Sequence, residues 1–69
     1  MKLTVIGTGN MGKALMKGFI AGNIFKAEEI TVYDVIEAAR ENAASAFGVN
    51  AASDPAAAVK DADYVLAGA

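Results

Sequence analysis

Three glycines in six residues, Gly7-Thr8-Gly9-Asn10-Met11-Gly12, follow directly on the apolar run Leu3-Thr-Val-Ile6 and lead into a long apolar stretch. Few folds accommodate that order. The β-branched run predicts a buried strand, the glycines a tight turn, and the residues from Asn10 to about Ala21 a helix. Strand, G-x-G-x-x-G turn and helix, in that order, form the unit with which parallel α/β sheets hold a dinucleotide. Each glycine has a separate task in it. Gly7 allows the sharp turn off the strand, Gly9 lets backbone approach a pyrophosphate, and Gly12 lets the helix pack on the strand. The helix start adds unpaired N–H groups and a partial positive charge. A glycine turn by itself is weak evidence, because ordinary β–turn–α connections use one without any ligand. The second feature is Asp34, which closes Ile30-Thr-Val-Tyr33 about 20 residues on, where a ribose-binding carboxylate belongs. Gly7, Gly9, Gly12 and Asp34 are therefore candidate cofactor-binding residues.

The rest of the chain alternates strands and helices. The first strand is expected over Lys2–Ile6. The first helix, Asn10 to about Ala21, presents Met11, Ala14, Leu15, Gly18 and Phe19 inward at helical spacing and Lys13 and Lys17 outward. On this pattern Met11 belongs to the core more than to a ligand. Gly22-Asn23 is a stop signal of the left-handed type. Ile24 and Phe25 are expected under the sheet, with Lys26, Glu28 and Glu29 solvated. The second strand covers Ile30–Tyr33. The second helix, Ile36 to about Phe47, turns Ile36, Ala39, Arg40, Ala43 and Phe47 inward and is closed by Gly48. A short third strand covers Val49–Ala52. Asp54 as N-cap and Pro55 at the first position open a third helix that runs to Val59 or Lys60. Asp61-Ala62-Asp63 is a turn, and Tyr64–Ala67 is the fourth strand. With right-handed crossovers, β-α-β-α-β-α-β gives a Rossmann-like parallel sheet of strand order 3-2-1-4, truncated relative to a complete doubly wound fold.

Composition narrows the chemistry. The 69 residues suffice for one domain, 1–69. Cysteine, histidine and tryptophan are absent. That removes disulfides, thiolate or imidazole metal sites and the usual nucleophilic triads. Ser45 and Ser53 have no histidine to activate them, and the carboxylates are scattered, so no catalytic residue and no metal ligand is assigned. A net charge of −2 with no basic patch argues against nucleic acid as partner. No apolar run approaches the ~20 residues of a membrane span, and the glycines interrupt the short run that could pass for a signal peptide. A cytoplasmic location is expected. The outer edge of the fourth strand is expected to be bare, which favours a homo-oligomer or poor stability of the chain alone.

Ile6-Gly-Thr-Gly-Asn-Met-Gly12, then Ala14, Gly18 and Gly22, then Ile30-Thr-Val-Tyr-Asp34, resembles the N-terminal domain of the pyrroline-5-carboxylate reductases. Asn10-Met11 within the turn separates it from the hydroxyacid dehydrogenases. The segment from Val49 to Ala67 is similar as well. The resemblance covers essentially the whole chain and less than half of the family's usual length. It implies NAD(P)H-dependent reduction of 1-pyrroline-5-carboxylate to L-proline, with this domain holding the cofactor. It also implies a C-terminal helical domain, absent from these residues, that supplies the substrate site and dimer core. The resemblance carries the cofactor site over to Gly7, Thr8, Gly9, Asn10, Met11, Gly12 and Asp34, while no substrate or catalytic residue carries over and the 69 residues alone are expected to be inactive. A nucleotide-binding or regulatory module, or an inactive fragment with no chemistry of its own, is the alternative.

NAD is favoured over NADP by Asp34. A carboxylate there accepts from both ribose hydroxyls and repels a 2′-phosphate. The residues that follow are Val35, Ile36 and Glu37, and the nearest arginine, Arg40, lies a turn or more into the second helix. The competing reading is that Asp34 merely caps that helix.

Overall fold

The computed structural model describes residues 1–67, so Gly68 and Ala69, the end of the expected 1–69 domain, lie outside the described residues. Alternation along the strands decides the architecture. β1 (Leu3–Ile6) pairs in parallel with β2 (Ile30–Tyr33) on one side and with β4 (Tyr64–Ala67) on the other. β3 (Asn50–Ala51) pairs with β2, giving the order β3-β2-β1-β4. This is the sheet expected from the sequence, and the fold is a four-stranded Rossmann-like α/β fold.

Leu3, Val5, Ile30 and Val32 project to one face and are buried there with Met16, Phe25, Ala43 and Val49. Two helices cover that face, α1 (Asn10–Ala21) and α2 (Glu37–Phe47). Phe19 and Phe25 meet edge to face at 5.6 Å between ring centres, the preferred geometry for aromatic pairs. The short α3 (Pro55–Val59) crosses the opposite face, where the buried Thr4 hydroxyl donates to the Ala58 carbonyl. Asp54 caps α3 by accepting from the Ala57 N–H at 2.9 Å, with Pro55 at the first position as its fixed φ favours. Lys2 and Asp63 exchange bonds, Lys2 N–H to the Asp63 carboxylate at 2.7 Å and Asp63 N–H to the Lys2 carbonyl at 2.8 Å. That exchange pins the start of β4 against β1.

Several packing expectations are corrected. The inward residues of α1 are Gly12 and Met16, followed by the half-buried Phe19 and Ile20. Met11 is 65% exposed, and Ala14, Leu15 and Gly18 also face solvent. The helix is apolar on almost every side, so its periodicity permits two inner stripes one residue apart. The close approach of Gly12 to the turn selects the second. Ile24 and Ile36 are exposed where burial was expected, while Phe25 alone of its pair reaches the core. Tyr64 is about half exposed at the sheet edge. The third strand is two residues long because only Thr31 and Val32 of β2 find partners on that side. The link before β2 includes a 3₁₀ turn, Ala27–Glu29. There the Glu29 carboxylate accepts from the Lys26 N–H at 2.8 Å and sits 3.1 Å from the Met1 ammonium.

Candidate functional site

β1 ends at the carboxyl edge of the sheet, the edge at which open α/β sheets bind ligands. Gly7 leaves the strand at φ 91°, a backbone region that residues with a Cβ rarely adopt. Its N–H donates to the Tyr33 carbonyl at 2.8 Å, so the turn begins still bonded to the end of β2. Gly12 stands over the turn: a Cβ there would lie 2.5 Å from the Gly7 carbonyl oxygen. That contact lets α1 start directly above the turn. Gly9 is different. It is the residue before the helix, with φ −68° and ψ −175°, extended backbone open to any residue.

The start of α1 has no side-chain cap and no acidic residue in its first turn. The Asn10, Met11 and Gly12 N–H groups precede the first intrahelical bond, which Lys13 N–H makes to the Gly9 carbonyl at 3.0 Å. Asn10 and Met11 are exposed there, and Gly12 is buried. The other two helices are finished differently. α3 carries the Asp54 cap, and α2 carries Glu37 in its first turn. Among the described α-helices, α1 alone combines an uncapped start with a first turn free of acidic residues, an arrangement that favours an anion there, and it leads directly out of the glycine turn.

Asp34 follows β2 and closes the site from the side. Its Oδ2 accepts from the Thr8 N–H at 3.0 Å and from the Thr8 hydroxyl at 2.9 Å. Its Oδ1 accepts from the Ile36 N–H at 2.9 Å. The Ile36 N–H, then the Thr8 N–H and hydroxyl, hold the carboxyl below its ordinary range, with the Arg40 charge adding a smaller pull. Asp34 is therefore an anion tied to the turn. The helix-cap alternative is met in part, since Ile36 is the residue before α2, but two of the three bonds go to Thr8.

All seven candidate residues fall at this one corner, with Asp34 bonded to Thr8 and the Gly7–Gly12 segment forming the turn itself. Two features escaped the sequence reading. One is the Thr8–Asp34 bond. The other is the bond by which the Arg40 guanidinium reaches back to donate to the Asp34 carbonyl at 3.2 Å. Helical side chains lean toward the N-terminus of their helix, so an arginine in the first turn of α2 signals this reach. Among the described residues no cluster of His, Cys, Asp and Glu could hold a metal ion, and no helix is long and apolar enough to cross a membrane. An open groove of about 300 Å³ beside β4 is lined by Phe19, Ile24, Phe25, Tyr64 and Leu66. It is apolar, and it lies toward the opposite end of β1 from the turn.

The family model described as NADP oxidoreductase, coenzyme F420-dependent, matches residues 2–68. A pyrroline-5-carboxylate reductase of Staphylococcus epidermidis (strain RP62A) is 41% identical over 69 residues, 99% of this chain and 26% of that protein. One from Staphylococcus aureus (strain COL) is 39% identical over the same share of each chain. One from Methanosarcina acetivorans is 34% identical over 65 residues, 94% of this chain and 24% of that protein. The chain spans about a quarter of the length of the curated relatives it matches.

Proposed function

Because this chain belongs to the family described as NADP oxidoreductase, coenzyme F420-dependent, we propose that it is the cofactor-binding part of an NAD(P)H-dependent reductase. The relatives named pyrroline-5-carboxylate reductase extend the proposal to reduction of 1-pyrroline-5-carboxylate to L-proline, in proline biosynthesis. One observation carries the reading: an uncapped helix start and an ionised carboxylate flank the same glycine turn. The first suits a pyrophosphate and the second a ribose.

The nicotinamide cofactor supplies the hydride when bound. The residues of this chain bind and orient it. The N–H groups of Asn10, Met11 and Gly12 receive the pyrophosphate. Gly9, whose conformation does not require glycine, keeps the approach free of a side chain. Asp34 receives the ribose and, as a fixed anion, disfavours a 2′-phosphate, so NAD(H) is preferred over NADP(H). The Arg40 guanidinium at the same corner pulls toward phosphate, but it is engaged on the Asp34 carbonyl. We place the reduction itself in a two-part site whose other half lies outside these residues, in a cytoplasmic homo-oligomer.

Fluorescence titration with NADH tests the reading, with Gly9→Val as the control. The parent chain is expected to bind. The variant is expected to fold and to lose binding, because a branched side chain occupies the pyrophosphate approach. Equal binding by both would remove the turn from the site.

A further inference from the structure

The carboxylate of Asp34 is more heavily bonded than ribose recognition alone requires. A carboxylate offers about four lone-pair positions. The Thr8 N–H and hydroxyl fill both on Oδ2, and the Ile36 N–H fills one on Oδ1. The position left open is on Oδ1. Thr8 itself is 4% exposed, so its hydroxyl is held in the turn and makes this bond in preference to one with water. The nearby cation, Arg40, donates to the Asp34 backbone carbonyl, which leaves the carboxylate charge without a direct guanidinium contact.

We infer that Thr8 is a positioning residue for cofactor selection: its hydroxyl locks the Asp34 carboxylate as a fixed anion facing the turn, with Oδ1 alone left to accept from the ribose. The inference rests on the dinucleotide reading above. It changes the expected recognition in two ways. Asp34 takes one ribose hydroxyl instead of both. And discrimination against a 2′-phosphate depends on Thr8 as well as on Asp34, because an anion repels a phosphate effectively only if it cannot turn away. A bond to an ionised acceptor is roughly twice as strong as a neutral one. Pinning Oδ2 by two donors and Oδ1 by a third fixes the plane of the group, and removing the hydroxyl leaves one bond on each oxygen.

The test compares dissociation constants for NADH and NADPH in the parent chain, Thr8→Val and Thr8→Ser. Valine keeps the backbone N–H and the shape and removes the hydroxyl, while serine restores it. Thr8→Val is expected to reduce the preference for NADH over NADPH by about five- to tenfold. Thr8→Ser should keep the parent ratio within about twofold on the same argument. A loosened turn would weaken both nucleotides alike and leave the ratio unchanged, so the ratio separates positioning from general structure. If valine disrupts the fold, seen as a lost melting transition, Thr8→Ala takes its place. An unchanged ratio in the hydroxyl-less variant, or a serine variant that behaves like valine, overturns the role of Thr8 and leaves the cofactor reading standing. Failure of the parent chain to bind either nucleotide overturns both.

Discussion

Gly12 stands over Gly7 so closely that a single added carbon would meet the Gly7 carbonyl oxygen at 2.5 Å. Both partners are backbone, so no side chain can swing aside to relieve the contact. Gly12→Ala is therefore expected to lift the start of α1 off the turn. The expected cost is about 1–3 kcal/mol of stability, as for other overpacked sites, with weaker dinucleotide binding because the amides of the helix start move. Urea unfolding and an NADH titration check this. A variant as stable as the parent would contradict the packing.

Gly18 is the counter-case on the same helix. Nothing lies within 4 Å of a Cβ built there, and the position is exposed in mid-helix. Gly18→Ala removes backbone freedom from the unfolded chain without a clash. It should stabilise by about 0.5–1 kcal/mol. A lower midpoint in thermal melting would show that this face of α1 is packed.

Asp34→Ser should weaken NADH more than NADPH. Serine keeps a short polar side chain but removes the charge that distinguishes a ribose hydroxyl from a 2′-phosphate. Paired titrations decide it. Equal losses for the two nucleotides would mean that Asp34 serves the start of α2 and the turn, without reading the ribose.

The same carboxylate makes stability depend on pH. Its pKa in the folded chain lies below the ordinary carboxylate value, chiefly through the Ile36 and Thr8 donors. The unfolded chain therefore binds the proton first as the pH falls. The contribution is complete well above about pH 4 and is lost as the pH drops through the folded value. Asp34→Asn lacks this contribution. The gap in melting temperature between parent and variant should be widest near neutrality and should close below about pH 4. A gap independent of pH would contradict the bonding described for Asp34.

Much of the fold was legible because its signals are local. The limits of α1, β2 and β4, the Asp54-Pro55 start of α3 and the strand order follow from glycines, caps and apolar runs. The side of α1 that faces inward was not legible in the same way. Met11, Ala14 and Leu15 look as apolar as Gly12 and Met16, and only the contact between Gly12 and the turn fixes the rotation. Ile24 and Ile36 failed for a related reason: each sits at a junction, where helical period no longer says which way a side chain points. In the candidate site the residues were legible one by one, from the glycine spacing and the distance to Asp34. Their bonds to one another were not, since the Thr8–Asp34 pair joins residues 26 apart that only the pairing of β1 with β2 brings together.

Dinucleotide binding at the glycine turn is tested most directly by following the backbone amide resonances of the chain while NADH is added. Saturable shifts are expected at Thr8 to Lys13 and at Asp34 to Ile36, with the groove around Phe19, Phe25 and Tyr64 unmoved. Shifts centred on that groove, or none at saturating NADH, would contradict the assignment of the glycine turn as the dinucleotide site.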